Sequence, residues 1–544
     1  MRTRFAAISE RIAHAPMGVA LGVVVAGILL ADYFSPPLWS VVVGFVVSVG
    51  MAMAMARYGK SFSTIYLFSA LSFAGAVSMQ LSRDELSLGG EPRLLHLRIT
   101  SVRNPSPTTR YAQAEILSAD GERCHLEVRL ICDESVELRG GEEILIKARI
   151  SGFASGRGHA QSQELAHSQN ASSSESQYGK YMARQGIVGQ IYLMREMIIE
   201  RYAFRPTLAE RVQAKARQKI HRLELTESVE PIILAMAIGD RGEITTALRR
   251  DYVLCGGAHL LAVSGLHVGY LFALINLLLL PLALFRRGQV ARALVAIAVI
   301  WGYAAMTGLA PSTIRAAVLF SLLQLSLLVA SRYNSLNALC FTAMAMLLWR
   351  GENIYDAGFQ LSVLAVFAIV EWAMPVIRWV AGWHRLELEK RQRLQRHKFR
   401  MALRVVFIWA ERWLLSSFTI SVAASLITIP LASYLFGQFS LWSVVVGPVM
   451  VLLAGVVVGV SLLWILMPMG LLQGVASGIL ELSVGWMNSL AEWCSRMGLV
   501  AYDISIDLSL CITIYIIYAL LTALVWGVEK GAKKRKPTIG KLPR

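Results

Sequence analysis

Apolar runs of about 20 residues recur along this chain, and few folds accept them. A run of that length crosses a hydrocarbon layer as a helix, because lipid offers no partner to an open backbone. Charge usage agrees. Charged residues make up 16% of the 544 positions and hydrophobic residues 55%, with a mean hydropathy of +0.53. A soluble chain would carry about 25% charged residues. The reading is a polytopic α-helical membrane protein.

Three spans open the chain, near 17–34, 38–56 and 61–81. The N-terminal MRTRFAAISER is basic and lacks a clear cleavage pattern, so it is expected to stay in place. The turn DYFSPP carries no Lys or Arg, whereas RYGK carries both. By the positive-inside bias, the N-terminus and RYGK are cytoplasmic and the chain after Leu81 is external. A second block of spans follows near 252–285, 291–309, 312–331, 335–349, 357–378, 413–433, 441–468, 471–500 and 508–527. Basic turns alternate with acidic ones through this block. About twelve spans, with both termini in the cytoplasm, is the self-consistent count.

Residues 82–200 form the one sizeable soluble region. LLHLRITSV, AQAEIL, CHLEVRLIC and EEILIKARI alternate as strands do, and Asp120-Gly121 and Gly140-Gly141 supply hairpin turns. Several short strands in this length suit a small external β-barrel or sandwich. The oligonucleotide-binding type is one candidate. Ser151 to Ser176 is rich in Ser, Gly, Gln and Ala and reads as a mobile loop, and YGKYMARQGI as a short helix. Within 201–228, Val212, Ala216, Ile220 and Leu223 recur at helical spacing in a basic stretch. That pattern predicts an amphipathic helix on the membrane surface. The division is thus 1–81, 82–200, 201–228, a membrane block over 229–529, and a basic tail over 530–544.

The formal net charge of +17 resembles that of a nucleic-acid binder. Much of it sits in the loop Arg378 to Arg404 and the tail Lys530 to Arg544. Both flank spans, where the positive-inside bias accounts for them. Of six cysteines, Cys124 and Cys132 lie in the external region, in what read as adjacent strand positions. A disulfide or two buried thiols would both fit there. No Cys-x-x-Cys or His-Glu-x-x-His pattern occurs, so no metal site or cofactor is expected.

Chemistry concentrates in Gly256 to Leu271, GGAHLLAVSGLHVGYL. It is apolar enough for a bilayer, yet it carries His259, Ser264 and His267 and is broken by four glycines. Irregular backbone at membrane depth must be satisfied by protein or by water in a cavity, and ionisable groups there usually face such a cavity. Ser264 and His267 sit three apart, as a hydrolytic pair would, but no orienting acid lies nearby in sequence. Three further segments share this character. GYAAMTGLAPSTIRAAVLF places Arg315 one turn into a span, where it either snorkels to the interface or offers a planar cation to phosphate. YDAGFQLS places Asp356 and Gln360 on one helical face, and Asp356 also suits a helix N-terminus. GQFS supplies Gln438. Ahead of them, LAMAIGDRGEI places Asp240, Arg241 and Glu243 where they would pair or gate an entrance.

In this order, LLAVSGLHV, TGLAPSTIRAA, YDAGFQLS and FGQFSL, preceded by LAMAIGDRGEI, resemble the ComEC family of competence proteins. The likeness extends over residues 1–530. It implies an inner-membrane channel that passes one DNA strand into the cytoplasm during natural transformation, and an external domain of oligonucleotide-binding type. It also implies a periplasmic or surface DNA receptor upstream. Many family members continue into a metallo-β-lactamase-like domain. No His-x-His-x-Asp-His motif occurs here, so nuclease activity is not expected of this chain.

A single strand carries a charge at every phosphate, so its path must be wet and must bind no phosphate too tightly. Tyr270, Trp301, Tyr303 and Phe359 lie near the marked segments as stacking candidates. No Gly-x-x-x-x-Gly-Lys-Ser/Thr loop is present, so a cytoplasmic helicase-like or strand-binding partner is implied. Membrane lipid is a further partner, and a homo-oligomer is left open. The chain is expected not to be an enzyme. Two rival classes remain. One is a secondary transporter of a small anionic solute, with Arg315 and the histidines as its site. The other is an intramembrane enzyme built on Ser264 and His267.

Overall fold

The computed structural model describes residues 16–55, 60–82, 92–106, 109–133, 136, 138, 141–151, 187–202, 208–285, 287–328, 334–380, 398–436, 438–440, 442–466, 470–497, 500–502 and 506–535. The expected mobile loop, the YGKYMARQGI helix, most of the basic loop and the end of the tail lie outside them. The chain opens on α1 (Pro16–Phe34), α2 (Leu38–Met55) and α3 (Lys60–Ser82). Small residues let these helices approach closely. A Cβ on Gly27 would fall 1.9 Å from the Ser72 carbonyl oxygen, and one on Gly75 would fall 2.6 Å from that of Val24.

Between these helices and the second helical block lies a curled six-stranded sheet of β1 (Arg93–Ser106), β2 (Thr109–Ala119), β3 (Glu122–Cys132), β4 (Glu143–Ala148), β5 (Ile187–Leu193) and β6 (Ile198–Tyr202). Its order is β5-β3-β2-β1-β4-β6. The β3–β5 pair is parallel and the others are antiparallel. Alternation along each strand sends Leu95, Leu97, Ile99, Ala112, Ala114, Ile116, Val128, Leu130, Ile144 and Ile146 to one buried face. The β2–β3 turn uses Asp120 and Gly121, both at positive φ (51° and 90°), as a tight hairpin requires. β5 and β6 were not among the expected strands.

The cysteine alternatives are settled by register. Cys124 and Cys132 are free and buried, and both lie on β3. Eight residues apart on one strand puts them about 26 Å apart, whereas a disulfide needs Cα atoms within about 7 Å.

The helical block continues with α4 (Leu208–His221), α5 (Glu230–Ile238), α6 (Thr246–Leu254), α7 (Gly265–Leu278), α8 (Gly288–Met306), α9 (Pro311–Leu328) and α10 (Ser335–Trp349). Then come α11 (Ala357–Ala368), which runs on through a π turn at Ile369–Ala373, and α12 (Lys398–Phe436). β7 (Gln438–Ser440), α13 (Gly447–Leu466), α14 (Gln473–Met497), β8 (Val500–Tyr502) and α15 (Leu508–Arg535) complete the chain. Among the described residues, eight helices are long and apolar enough to cross a membrane. Three further apolar helices are shorter: Gly265–Leu278, Ser335–Trp349 and Leu508–Ala523. The remaining expected span, 471–500, is α14, whose buried stripe Ala476, Leu480, Val484, Met487 and Ala491 opposes Glu481, Glu492 and Arg496.

The helix α4 differs from its expected setting. Ala216, Ile220 and Leu223 are buried in the core of the helical block rather than left for lipid, while Val212 is exposed. The Lys219 ammonium donates to the Ile465 carbonyl, and the Trp464 indole donates to the Lys219 carbonyl. These bonds fasten α4 to the end of α13.

Candidate functional site

The glycine-broken segment is indeed discontinuous. α6 starts at an N-cap, where Thr245 Oγ1 accepts from the Leu248 N–H. It stops at Leu254, and Gly256 takes a φ of +82°. A 3-10 turn (Ala258–Leu261) follows, and α7 resumes at Gly265. Gly256 is required twice over, by its positive φ and because a Cβ there would fall 2.5 Å from Ser443 Cβ and 3.0 Å from Ser443 Cα.

Breaking a helix frees carbonyls that must find donors. Here serines from distant segments supply them. Ser440 Oγ donates to the Leu254 carbonyl at 2.6 Å, and Ser312 Oγ donates to the Val263 carbonyl at 3.0 Å. Ser443 Oγ donates in turn to the Ser440 carbonyl at 2.7 Å. Ser440 and Ser312 belong to the marked segments GQFS and APSTIR, yet sequence reasoning passed over both. A serine beside Pro or Phe carries no signal of its own; only the unmet carbonyl opposite explains it.

The other marked segments close around the same place. Gly239, in a left-handed conformation at the end of α5, lies against Thr307 and Val263. Arg315 is buried and pins α9 to α11. Its Nε donates to Ser362 Oγ at 3.0 Å and its Nη2 to the Gly358 carbonyl at 2.9 Å, while Nη1 has no hydrogen-bond partner. The Phe359 ring lies 5.5 Å from the guanidinium carbon. Arg315 therefore does not snorkel. Asp356 caps α11, accepting from the Phe359 N–H, and Gln360 donates to the Ile354 carbonyl at 2.6 Å. Gln438 pairs with Tyr502 through the backbone of the β7–β8 ribbon, and its side chain lies outside what the structure describes.

The two histidines differ in burial. His259 is exposed, with Nδ1 3.2 Å from the Gly256 carbonyl. His267 is fully buried and belongs to the capping box of α7, its Nδ1 accepting from the Ser264 N–H at 3.4 Å. A neutral ring that accepts at Nδ1 carries its proton on Nε2. That Nε2 is buried and has no partner. Ser264 and His267 thus meet as a helix cap through a backbone N–H, not as a hydroxyl–imidazole pair. Thr313 Oγ1 and the Tyr303 hydroxyl are likewise buried without partners.

Asp240 and Glu243 meet not each other but Arg217 of α4. Arg217 Nη1 reaches Asp240 at 2.8 Å and Nη2 reaches Glu243. Arg241 is exposed. Among the stacking candidates, Tyr303 is buried and the Tyr270 hydroxyl lies against Gly455. Trp301 is part exposed and donates to Ser321 Oγ at 3.2 Å. Among the described residues, no three His, Cys, Asp or Glu side chains form a group able to hold a metal ion.

Comparison with known proteins bears on this same region. The family model described as "Competence protein" matches residues 236–529. ComE operon protein 3 of Bacillus subtilis (strain 168) is 27% identical over 288 residues, which is 51% of this chain and 31% of that protein. The match thus spans under a third of the relative's length. No solved structure matches the chain.

Proposed function

This chain belongs to the competence protein family, and on that premise we propose that it forms the path by which single-stranded DNA crosses the cytoplasmic membrane. Family membership supports a role in DNA uptake during competence. The finer reading rests on one observation. Within the helical block, a discontinuous helix has its freed carbonyls satisfied by serines, while buried donors beside it, His267 Nε2 and Arg315 Nη1, have no acceptor. Donors without acceptors suit a ligand made of phosphate oxygens. Both groups are shut off from solvent in this conformation, so passage requires the surrounding helices to part. In this reading twelve helices span the bilayer, and the external sheet is of oligonucleotide-binding type. That sheet offers stacked groups more than a basic patch, such as Arg129 over the Tyr111 ring at 4.3 Å. A DNA receptor outside and a helicase-like or strand-binding protein inside complete the proposal.

The test is the fate of labelled DNA in cells with the intact gene, a deletion, and His267→Ala. The expected result is DNA held outside the cytoplasm in the deletion, and reduced delivery by a normally inserted His267→Ala protein. Unchanged cytoplasmic delivery in the deletion strain overturns the reading.

A further inference from the structure

A second polar cluster lies among the apolar helices, at residues no motif singled out. Asn276 on α7 is the hub. Its Nδ2 donates to the Phe272 carbonyl at 2.9 Å, which fixes the amide's orientation. Its Oδ1 accepts from Arg292 Nε of α8 at 3.1 Å and from Gln324 Nε2 of α9 at 3.4 Å. One turn earlier on α7 and α9, Phe272 and Phe320 stack at 4.7 Å between centroids, 20° from parallel.

Two features of this cluster are unfinished. Arg292 is part buried, and no carboxylate pairs with it among the described residues. It bonds a neutral amide through Nε, and among the described residues neither Nη group has a partner. An arginine held in this way is pre-organised for a tetrahedral oxyanion. Gln324 is 5% exposed, and its Oε1 is buried without a partner. A buried acceptor of this kind calls for a donor. A phosphate offers none, but a nucleotide presents an oxyanion together with base N–H groups.

Resting on the proposed passage of a strand, we infer that Arg292, Asn276 and Gln324 form a nucleotide-binding station on the path. Arg292 takes a backbone phosphate there and Gln324 Oε1 takes an exocyclic base N–H. Asn276 is a positioning residue that aims the guanidinium. Adenine and cytosine carry an exocyclic amine, whereas thymine carries a carbonyl oxygen at the corresponding position and its one base N–H is on the ring. The Gln324 contact therefore distinguishes dC from dT tracts, and the Arg292 contact does not.

The experiment uses the full chain in phosphatidylcholine vesicles, with ionic current interrupted by oligo-dC or oligo-dT under voltage. Arg292→Gln is expected to shorten the residence of both oligonucleotides about tenfold, the loss of one charge-assisted bond. Arg292→Lys should restore part of it, and Asn276→Leu should resemble Arg292→Gln although the charge remains. Gln324→Leu should shorten residence of dC and leave dT unchanged. Equal residence in wild type and Arg292→Gln overturns the station. So does a Gln324→Leu effect equal on dC and dT. If Arg292→Gln leaves DNA residence untouched but abolishes extra thermal stability gained in anionic vesicles, Arg292 holds a lipid headgroup and the inference falls. A wild-type chain that neither conducts nor is blocked by DNA overturns the parent reading instead.

Discussion

Burial decides the behaviour of the single side chains here more than residue type does. Cys124 sits inside the sheet, where burial pushes its thiol above the ordinary value. Less thiolate at neutral pH means slower alkylation, with reactivity recovered as pH rises or the sheet unfolds. The expected outcome is an intact mass unchanged by reductant and no alkylation of Cys124 or Cys132 until denaturant is added. A mass decrease of one hydrogen pair, reversed by reductant, would contradict the free thiols. Arg315 shows the same principle with a charge. It holds Ser362 and the Gly358 carbonyl from one planar group, a geometry that lysine cannot reproduce. Arg315→Lys should cost about 1–3 kcal/mol of stability, measured as a lowered unfolding temperature in detergent. An unchanged temperature would mean that the α9–α11 tie carries no energy.

At the scale of elements, legibility follows the range of the interaction. The apolar spans and β1 to β4 were readable because helical and strand periodicities are local. The break at Gly256 was readable because glycines and polar residues interrupt an apolar run. What repairs the break was not. Ser312 lies 49 residues from Val263, and Ser440 lies 186 from Leu254, and no local pattern announces such pairings. β5 and β6 were missed because IVGQIYL and IIERY follow a long polar stretch and alternate poorly. α4 was assigned to lipid because amphipathicity states that a face is apolar, not what covers it. The break itself yields a prediction. Gly256→Ala forces a positive φ on a Cβ and a collision with Ser443, at a cost of about 1–3 kcal/mol. Gly302→Ala on α8 meets nothing within 4 Å and should be silent. Unfolding of the two variants side by side tests the assignment, and equal stabilities would mean that the break relaxes freely.

Across the whole molecule, the question is how the connector after the sheet engages the helical block. The contacts that join α4 to it include two kinds that salt tells apart: buried apolar residues with hydrogen bonds to α13, and the Arg217 pairs with Asp240 and Glu243 in the turn after α5. The first kind is insensitive to salt. The second is part exposed, so solvent screens it and its coupling is expected to be about 1 kcal/mol or less. A double-mutant cycle of Arg217→Ala and Asp240→Ala isolates the Arg217–Asp240 coupling, because the loss of the Arg217–Glu243 pair occurs in both Asp240 backgrounds and cancels. The coupling should shrink as ionic strength rises towards 1 M, where the screening length falls to about 3 Å. The stability of the block itself should change little, since Ala216, Ile220 and Leu223 keep α4 docked. Collapse of the fold in Arg217→Ala would reverse that order and make the ion pairs, not the apolar stripe, the attachment between connector and helices. Because the same turn begins at Gly239 against Val263 of the broken segment, a cycle that couples strongly would also mean that the connector can bias the conformation of that segment.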